Sequence, residues 1–153
     1  KGTTFKIYFP VYYENGDKIA KKDELFKPEK FNLSVLLVED DKNVLEVLKG
    51  MLENFGISVE VAENGLKALE ILQYKDFDMV ITDIVMPKLS GVELYNKVKE
   101  FNKKVNFIFV SGYPYDFIKE NFLIDFNNLL TKPVTPEKLY NKIYDLIKDK
   151  AKV

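Results

Sequence analysis

The chain has 153 residues, 46% hydrophobic and 31% charged, with a net charge of −1; that is enough for one core-forming domain with an extension, and it gives no bulk attraction to nucleic acid or an anionic membrane. All 23 basic residues are lysines, so bidentate arginine readout of bases is absent. Cysteine and histidine are both missing, which excludes disulfides, thiolate or imidazole metal sites, Ser-His-Asp chemistry and a phospho-histidine carried on this chain itself.

Residues 1–10, Lys-Gly-Thr-Thr-Phe-Lys-Ile-Tyr-Phe-Pro, alternate as a strand with Phe5, Ile7 and Phe9 on one face. Residues 11–32 are polar and lysine-rich, carry an Asn15-Gly16 turn signal and Pro28, and read as a linker. From residue 33 the pattern changes to short apolar strands alternating with amphipathic helices. Val35 to Val38 is a buried strand, and Asp41 caps a helix with Val44, Leu48, Met51, Leu52 and Phe55 at helical spacing, closed by Gly56. Ile57, Val59 and Val61 mark a second strand, and a helix follows Asn64-Gly65 through Leu66, Leu69 and Leu72. Phe77 to Thr82 is the third strand. A helix from Gly91 to Phe101 follows, with Leu94, Tyr95, Val98 and Phe101 inward. Val105 to Val110 is the fourth strand, Pro114 starts a short helix, and Phe126 to Leu130 is the fifth strand. Thr135-Pro136-Glu137 begins the last helix, with Leu139, Ile143, Leu146 and Ile147 on one face. Five strand–helix alternations predict an α/β fold: a parallel sheet covered on both faces.

In such a sheet the carboxyl ends of the strands share one rim, where ligands bind. The first strand ends in Glu39-Asp40-Asp41, the third in Asp83, the fourth in Ser111, and the fifth leads into Lys132. If the first and third strands are neighbours, their acids converge, and like charges that close raise one another's pKa unless a cation joins them. An oxygen-only donor set suits Mg2+. Taken singly, each residue has an equally good structural use: Asp40 and Asp41 as caps, Asp83 and Ser111 in turns, Lys132 as a surface cation. Together and in this order they are specific.

Val35-Leu-Leu-Val-Glu-Asp-Asp41, Asp83-Ile-Val-Met-Pro87 with Gly91, Ser111-Gly-Tyr113 and Thr131-Lys-Pro133 resemble the receiver domain of bacterial two-component response regulators. The resemblance spans residues 33 to 148. It implies a doubly wound, five-stranded flavodoxin-like sheet of order 2-1-3-4-5, within a receiver domain over residues 33–153. It implies Asp83 as phosphoacceptor. It further implies Mg2+ held by Asp40, Asp83 and the Val85 backbone carbonyl, with Glu39 acting through water, and Ser111 and Lys132 on the phosphoryl oxygens. A cis Lys132–Pro133 bond is implied as well. The expected function is a phosphoacceptor module of a phosphorelay that takes a phosphoryl group from a histidine kinase or a histidine phosphotransfer domain and then switches conformation. The family usually places Tyr or Phe three residues before the lysine; here that position is Leu129, so the aromatic part of the switch departs from the pattern.

The amino-terminal ten residues resemble the closing segment of a histidine-kinase ATP-binding domain, which implies a hybrid sensor kinase as the parent chain. Their apolar face predicts packing on the receiver surface or strand-mediated association with a neighbouring chain. No apolar run reaches membrane-spanning length and the amino end does not read as a signal peptide, so the expectation is a cytoplasmic segment without membrane contact. Three rival readings share the fold. A flavodoxin-like electron carrier needs a phosphate loop after the first strand, where Glu39-Asp40-Asp41 repels phosphate. A haloacid-dehalogenase-like phosphatase needs two acids two residues apart, which Glu39 and Asp41 offer, but the usual following threonine is missing. A receiver-fold binding module without phosphotransfer would have lost a catalytic position, and none is lost.

Overall fold

The computed structural model describes residues 28–101 and 103–150. Their strands are β1 (Ser34–Val38), β2 (Ser58–Ala62), β3 (Met79–Asp83), β4 (Asn106–Ser111) and β5 (Leu129–Thr131). Their helices are α1 (Lys42–Asn54), α2 (Gly65–Tyr74), α3 (Gly91–Glu100), α4 (Tyr115–Asn121) and α5 (Pro136–Lys150). The five strands form one parallel sheet in the order β2-β1-β3-β4-β5, the flavodoxin-like order expected from the sequence. Strand side chains alternate between two cores. Val35, Leu37, Met79, Ile81, Ile108 and Val110 meet α1 and α5 through Leu48, Leu52, Leu139 and Ile143. Leu36, Val38, Val80, Phe107 and Phe109 meet α2, α3 and α4 through Ala68, Leu72, Leu94, Val98 and Ile118. Burial on both faces is why the strands read as continuous apolar runs.

Local chemistry sets the helix ends. The Asp41 carboxylate accepts from the Asn43 and Val44 amides at 2.9 and 3.2 Å, capping α1 as expected. Gly56, at φ 79°, lets the chain leave α1 in the left-handed region. Ser90 and Glu93 form a reciprocal capping box at the start of α3. The Ser90 amide, which donates to the Glu93 carboxylate at 2.8 Å, is the main cause that holds this carboxyl below its ordinary pKa, with the Ser90 hydroxyl second.

Several expectations are corrected. Phe101 is exposed and not inward, because it lies beyond the last turn of α3, at its C-cap. Pro114 is the cap before α4 and not its first residue. Residues Phe126–Asn128 form a 3-10 turn, so β5 is shorter than expected. The Asp125 carboxylate accepts from the Asn127 amide at 3.0 Å and so competes with extension of the strand.

The expected remnant strand at residues 1–10 lies outside the described residues, as does most of the expected linker. The end of that linker packs on the domain. The Phe31 amide donates to the Phe55 carbonyl at 2.7 Å, and its ring stacks on Tyr140 of α5 at 4.8 Å between centroids. Phe31→Ala is therefore expected to lower stability by about 1–2 kcal/mol, the aromatic pair plus its partial burial. A urea midpoint equal to that of the parent chain would show the stack to be idle.

Candidate functional site

The register brings the predicted residues to one rim. Val38 pairs with Thr82, Asp83 with Val110, and Ser111 with Thr131. Glu39, Asp83, Ser111 and Lys132 therefore leave four adjacent strands side by side. Glu39, Asp83 and Ser111 are buried, whereas Asp40 is exposed. Glu39, Asp40 and Asp83 each present a carboxylate oxygen within 4.8 Å of the others.

Lys132 closes this acidic cluster. Its Nζ lies 2.6 Å from Asp83 Oδ2 and 3.0 Å from Glu39 Oε2. Asp83 Oδ1 accepts the Val85 amide at 2.9 Å, so each oxygen of this carboxylate has a donor. Glu39 Oε1 accepts the Asp41 amide at 3.1 Å. Burial pushes the Glu39 carboxyl above its ordinary pKa, and the neighbouring Asp83 charge adds to this; the Asp41 amide and Lys132 oppose it without cancelling it. Burial pulls the Lys132 ammonium down, but its hydrogen bonds to Asp83 and Glu39 outweigh that, and the net shift is upward. Lys132 therefore stays charged throughout the neutral range.

Ser111 is fully buried at the end of β4. Its hydroxyl oxygen accepts the Tyr113 amide at 3.0 Å, and its carbonyl accepts the Lys132 amide at 2.7 Å. The Lys132–Pro133 bond is cis, as the resemblance implies. Val85 is half exposed beside the acid. Leu129 is buried in the core next to Phe109, its register partner, so no aromatic ring occupies that position.

Sequence reasoning gave Gly91 the opening of a helix and a place in the motif of the resemblance, but no physical role. In the structure a Cβ at Gly91 would collide with the Asp83 carbonyl oxygen and crowd the Thr82 side chain. The Gly91 amide donates to the Ile84 carbonyl at 2.9 Å. This glycine lets α3 start directly against the carboxyl end of β3, a contact between residues eight apart that no local pattern encodes. Lys88, at φ 72° within the same loop, adopts the left-handed region uncommon for a side-chain-bearing residue.

The site's metal-ligating atoms are carboxylate oxygens and the cation bonded to them is Lys132, which fits a hard divalent ion and an anionic group bound together. The response regulator receiver domain family model matches residues 35–144, and the chain belongs to that family. It is thus a phosphoacceptor signalling module, and the electron-carrier and dehalogenase-like readings fall away. It is 32% identical over 157 residues to the sensor kinase CckA of Brucella abortus (strain 2308), covering 96% of this chain and 17% of that protein. Among solved structures it is similar to a CheY-like receiver domain protein of Methanospirillum hungatei JF-1. The TM-score is 0.68 at 28% identity, over 81% of this chain and 98% of that one. The receiver domain of the hybrid histidine kinase CckA aligns with TM-score 0.60 at 26% identity, over 73% of this chain and 96% of that one. Among the described residues no helix is long and apolar enough to cross a membrane.

Proposed function

We propose that Asp83 is the phosphoacceptor, taking a phosphoryl group from a phospho-histidine on a histidine kinase or histidine phosphotransfer domain, since the chain has no histidine of its own. The observation that carries this reading is the single buried carboxylate at the end of β3 bonded to Lys132 at 2.6 Å beside two further acids. In the transfer an Asp83 oxygen forms a bond to phosphorus while the bond from phosphorus to the imidazole nitrogen breaks, its electron pair remaining on the ring. Both reactants are anionic, so positioning and charge neutralisation supply most of the catalysis. Lys132 sits where charge on one phosphoryl oxygen needs a partner. The Ser111 hydroxyl, accepting from Tyr113, keeps its own proton for another.

Glu39, Asp40 and Asp83 suit Mg2+: Asp40 and Asp83 would hold it directly with the Val85 backbone carbonyl, and Glu39 through water. When bound, Mg2+ supplies positive charge that offsets repulsion between the acid and the incoming phosphoryl group. Asp40→Ala is expected to weaken Mg2+ binding at least tenfold with the fold intact, because Asp40 is exposed and removing it relieves like-charge repulsion. Unchanged affinity by titration would remove Asp40 from the metal site.

Beside Lys132 lies a groove of about 500 Å3, lined by Val44, Val47, Leu48, Gly112, Pro133 and Val134 among others. An apolar groove next to the reactive group suits a helix that presents the donor histidine. We place the chain in a hybrid sensor kinase, with residues 1–10 as the end of an ATP-binding domain, 11–32 as a connection and 33–153 as the receiver. The alignment with sensor kinase CckA supports this, since its coverage of the chain extends well ahead of residue 35. The reading is tested by incubation with Mg2+ and acetyl phosphate, intact mass and peptide mapping. One adduct on the peptide containing Asp83 is expected; an adduct confined to any other peptide overturns the assignment.

A further inference from the structure

The chain enters the domain through a fastened segment. Lys30 Nζ donates to the Asn54 carbonyl and so caps the carboxyl end of α1, where a cation also suits the helix dipole. The Phe31 amide donates to the Phe55 carbonyl, and the Leu33 carbonyl accepts the Ser58 amide at 2.9 Å. Gly56 makes room for this segment: an added Cβ would lie 3.2 Å from Lys30 Cβ, Lys30 Cδ and the Phe31 carbonyl oxygen. These contacts sit at the end of the sheet opposite the acids, because α1 runs from Asp41 beside the rim to its C-cap, Phe55. A helix of 13 residues separates the two ends by about 20 Å.

The Phe31 ring opens a row of aromatic side chains along α5. It stacks on Tyr140, which Phe55 meets edge-on at 5.3 Å between centroids. Tyr144 continues the row one turn on, stacked on Tyr140 at 6.3 Å with planes 16° apart. Lys148, a further turn along, carries its Nζ 5.6 Å from the centre of the Tyr144 ring. Tyr144 is 43% exposed, a large apolar face at the end of the row. Just ahead of the described chain, which begins at Pro28, the sequence reads Asp23-Glu24-Leu25-Phe26: two acids, then two large apolar side chains. From Phe31 back to Phe26 is five residues, a reach of about 17 Å when extended. The ring spacings of 4.8 and 6.3 Å that lead from Phe31 to Tyr144 fall well inside that reach.

We propose that Leu25 and Phe26 dock across Tyr140 and Tyr144, with Asp23 and Glu24 beside Lys148, so that residues 23–31 form a strap that fixes the direction in which the preceding chain leaves the receiver. The occupant is this chain's own segment for three reasons. It continues a contact that Phe31 already makes. It is tethered five residues away, so its effective concentration at the row far exceeds that of any free partner. Its acids match the one cation that borders the exposed ring, and its two apolar side chains suit an aromatic face. The strap holds the receiver by the end of the sheet opposite Asp83, and the rim with its carboxylates stays clear of the preceding chain. The inference stands apart from the assignment of Asp83, which plays no part in these contacts.

The chain has no tryptophan, so Phe26→Trp gives a single reporter in the strap. In the full chain carrying F26W, acrylamide is expected to quench the emission at least threefold less efficiently than it quenches N-acetyltryptophanamide. Adding Tyr144→Ala, which removes a half-exposed ring and leaves the core in place, is expected to raise the quenching at least twofold while the melt stays cooperative. Adding Lys148→Glu instead sets a like charge against the two acids and is expected to raise the quenching in the same direction. Quenching of F26W equal to that of the free indole amide, or shielding undiminished by Y144A, overturns the strap. Shielding that disappears on dilution assigns the row to a second copy of the chain and overturns it equally. Unchanged quenching with K148E overturns the placement of Asp23 and Glu24 alone.

Discussion

Asp83→Asn is expected to lose all stable labelling by acetyl phosphate, a fall of about 10^3-fold or more in rate, because an amide oxygen lacks the charge to attack phosphorus. The substitution conserves size and leaves the backbone carbonyl that meets Gly91 and the Thr82 hydroxyl untouched. Of the two donors that meet the carboxylate, the Val85 amide at 2.9 Å and Lys132 Nζ at 2.6 Å, the single amide oxygen satisfies one. Lys132 retains Glu39 at 3.0 Å. The variant is therefore expected to melt cooperatively while binding Mg2+ more weakly than the parent. Labelling at the parental rate would sink the assignment, and a stable adduct transferred to Asp40 would show that the acid cluster matters more than the place of Asp83 at the strand end.

The features legible in the sequence were those fixed by period and by strand ends. Val35 to Val38 and Met79 to Thr82 read as strands because both faces are buried. Glu39, Asp83, Ser111 and Lys132 could be placed on one rim because parallel strands put every carboxyl end on the same side. Asp41 was readable as a cap because a cap is a local interaction, and it accepts from the helix amides in the structure; the same role of Asn64 at the start of α2 was not read, only the helix start there. What escaped notice depended on contacts distant in sequence or on competition between local and long-range bonds. The place of Gly91 against the Asp83 carbonyl exists only once β3 and α3 meet. Phe31 looked like part of a polar connection because its partners, Phe55 and Tyr140, lie 24 and 109 residues away. The start of β5 was misplaced because Phe126 has strand character, while the Asp125 side chain and the turn it caps decide the backbone there.

Lys132→Met tests how the acidic cluster is tolerated. In the metal-free chain the Lys132 ammonium stands between two carboxylates that are almost fully buried, Glu39 and Asp83. Removing it leaves like charges facing one another without a counter-charge. Breaking a buried ion pair in this way costs about 3–5 kcal/mol. Here the Lys132 side chain keeps 25% of its exposure, so water screens part of the charge and about 2–3 kcal/mol is expected, or roughly 10 °C in melting temperature for a domain of this size. The sign with pH follows from the upward shift of Lys132. Its stabilisation is fully present below the ordinary lysine pKa and is lost as pH rises through the shifted value, so the deficit of the variant is in full effect at neutral pH. Mg2+ is expected to return much of the lost stability, since a divalent ion among Glu39, Asp40 and Asp83 neutralises the same acids. Phosphotransfer is not expected to recover with it, because Mg2+ takes its place among the acids while the partner proposed for the phosphoryl oxygen on the β5 side, Lys132, is gone. Thermal melts with and without Mg2+, set beside labelling rates, separate the two effects. A variant as stable as the parent in metal-free buffer would show that Lys132 does not balance the cluster, and parental labelling in Mg2+ would show that it does not assist the transfer.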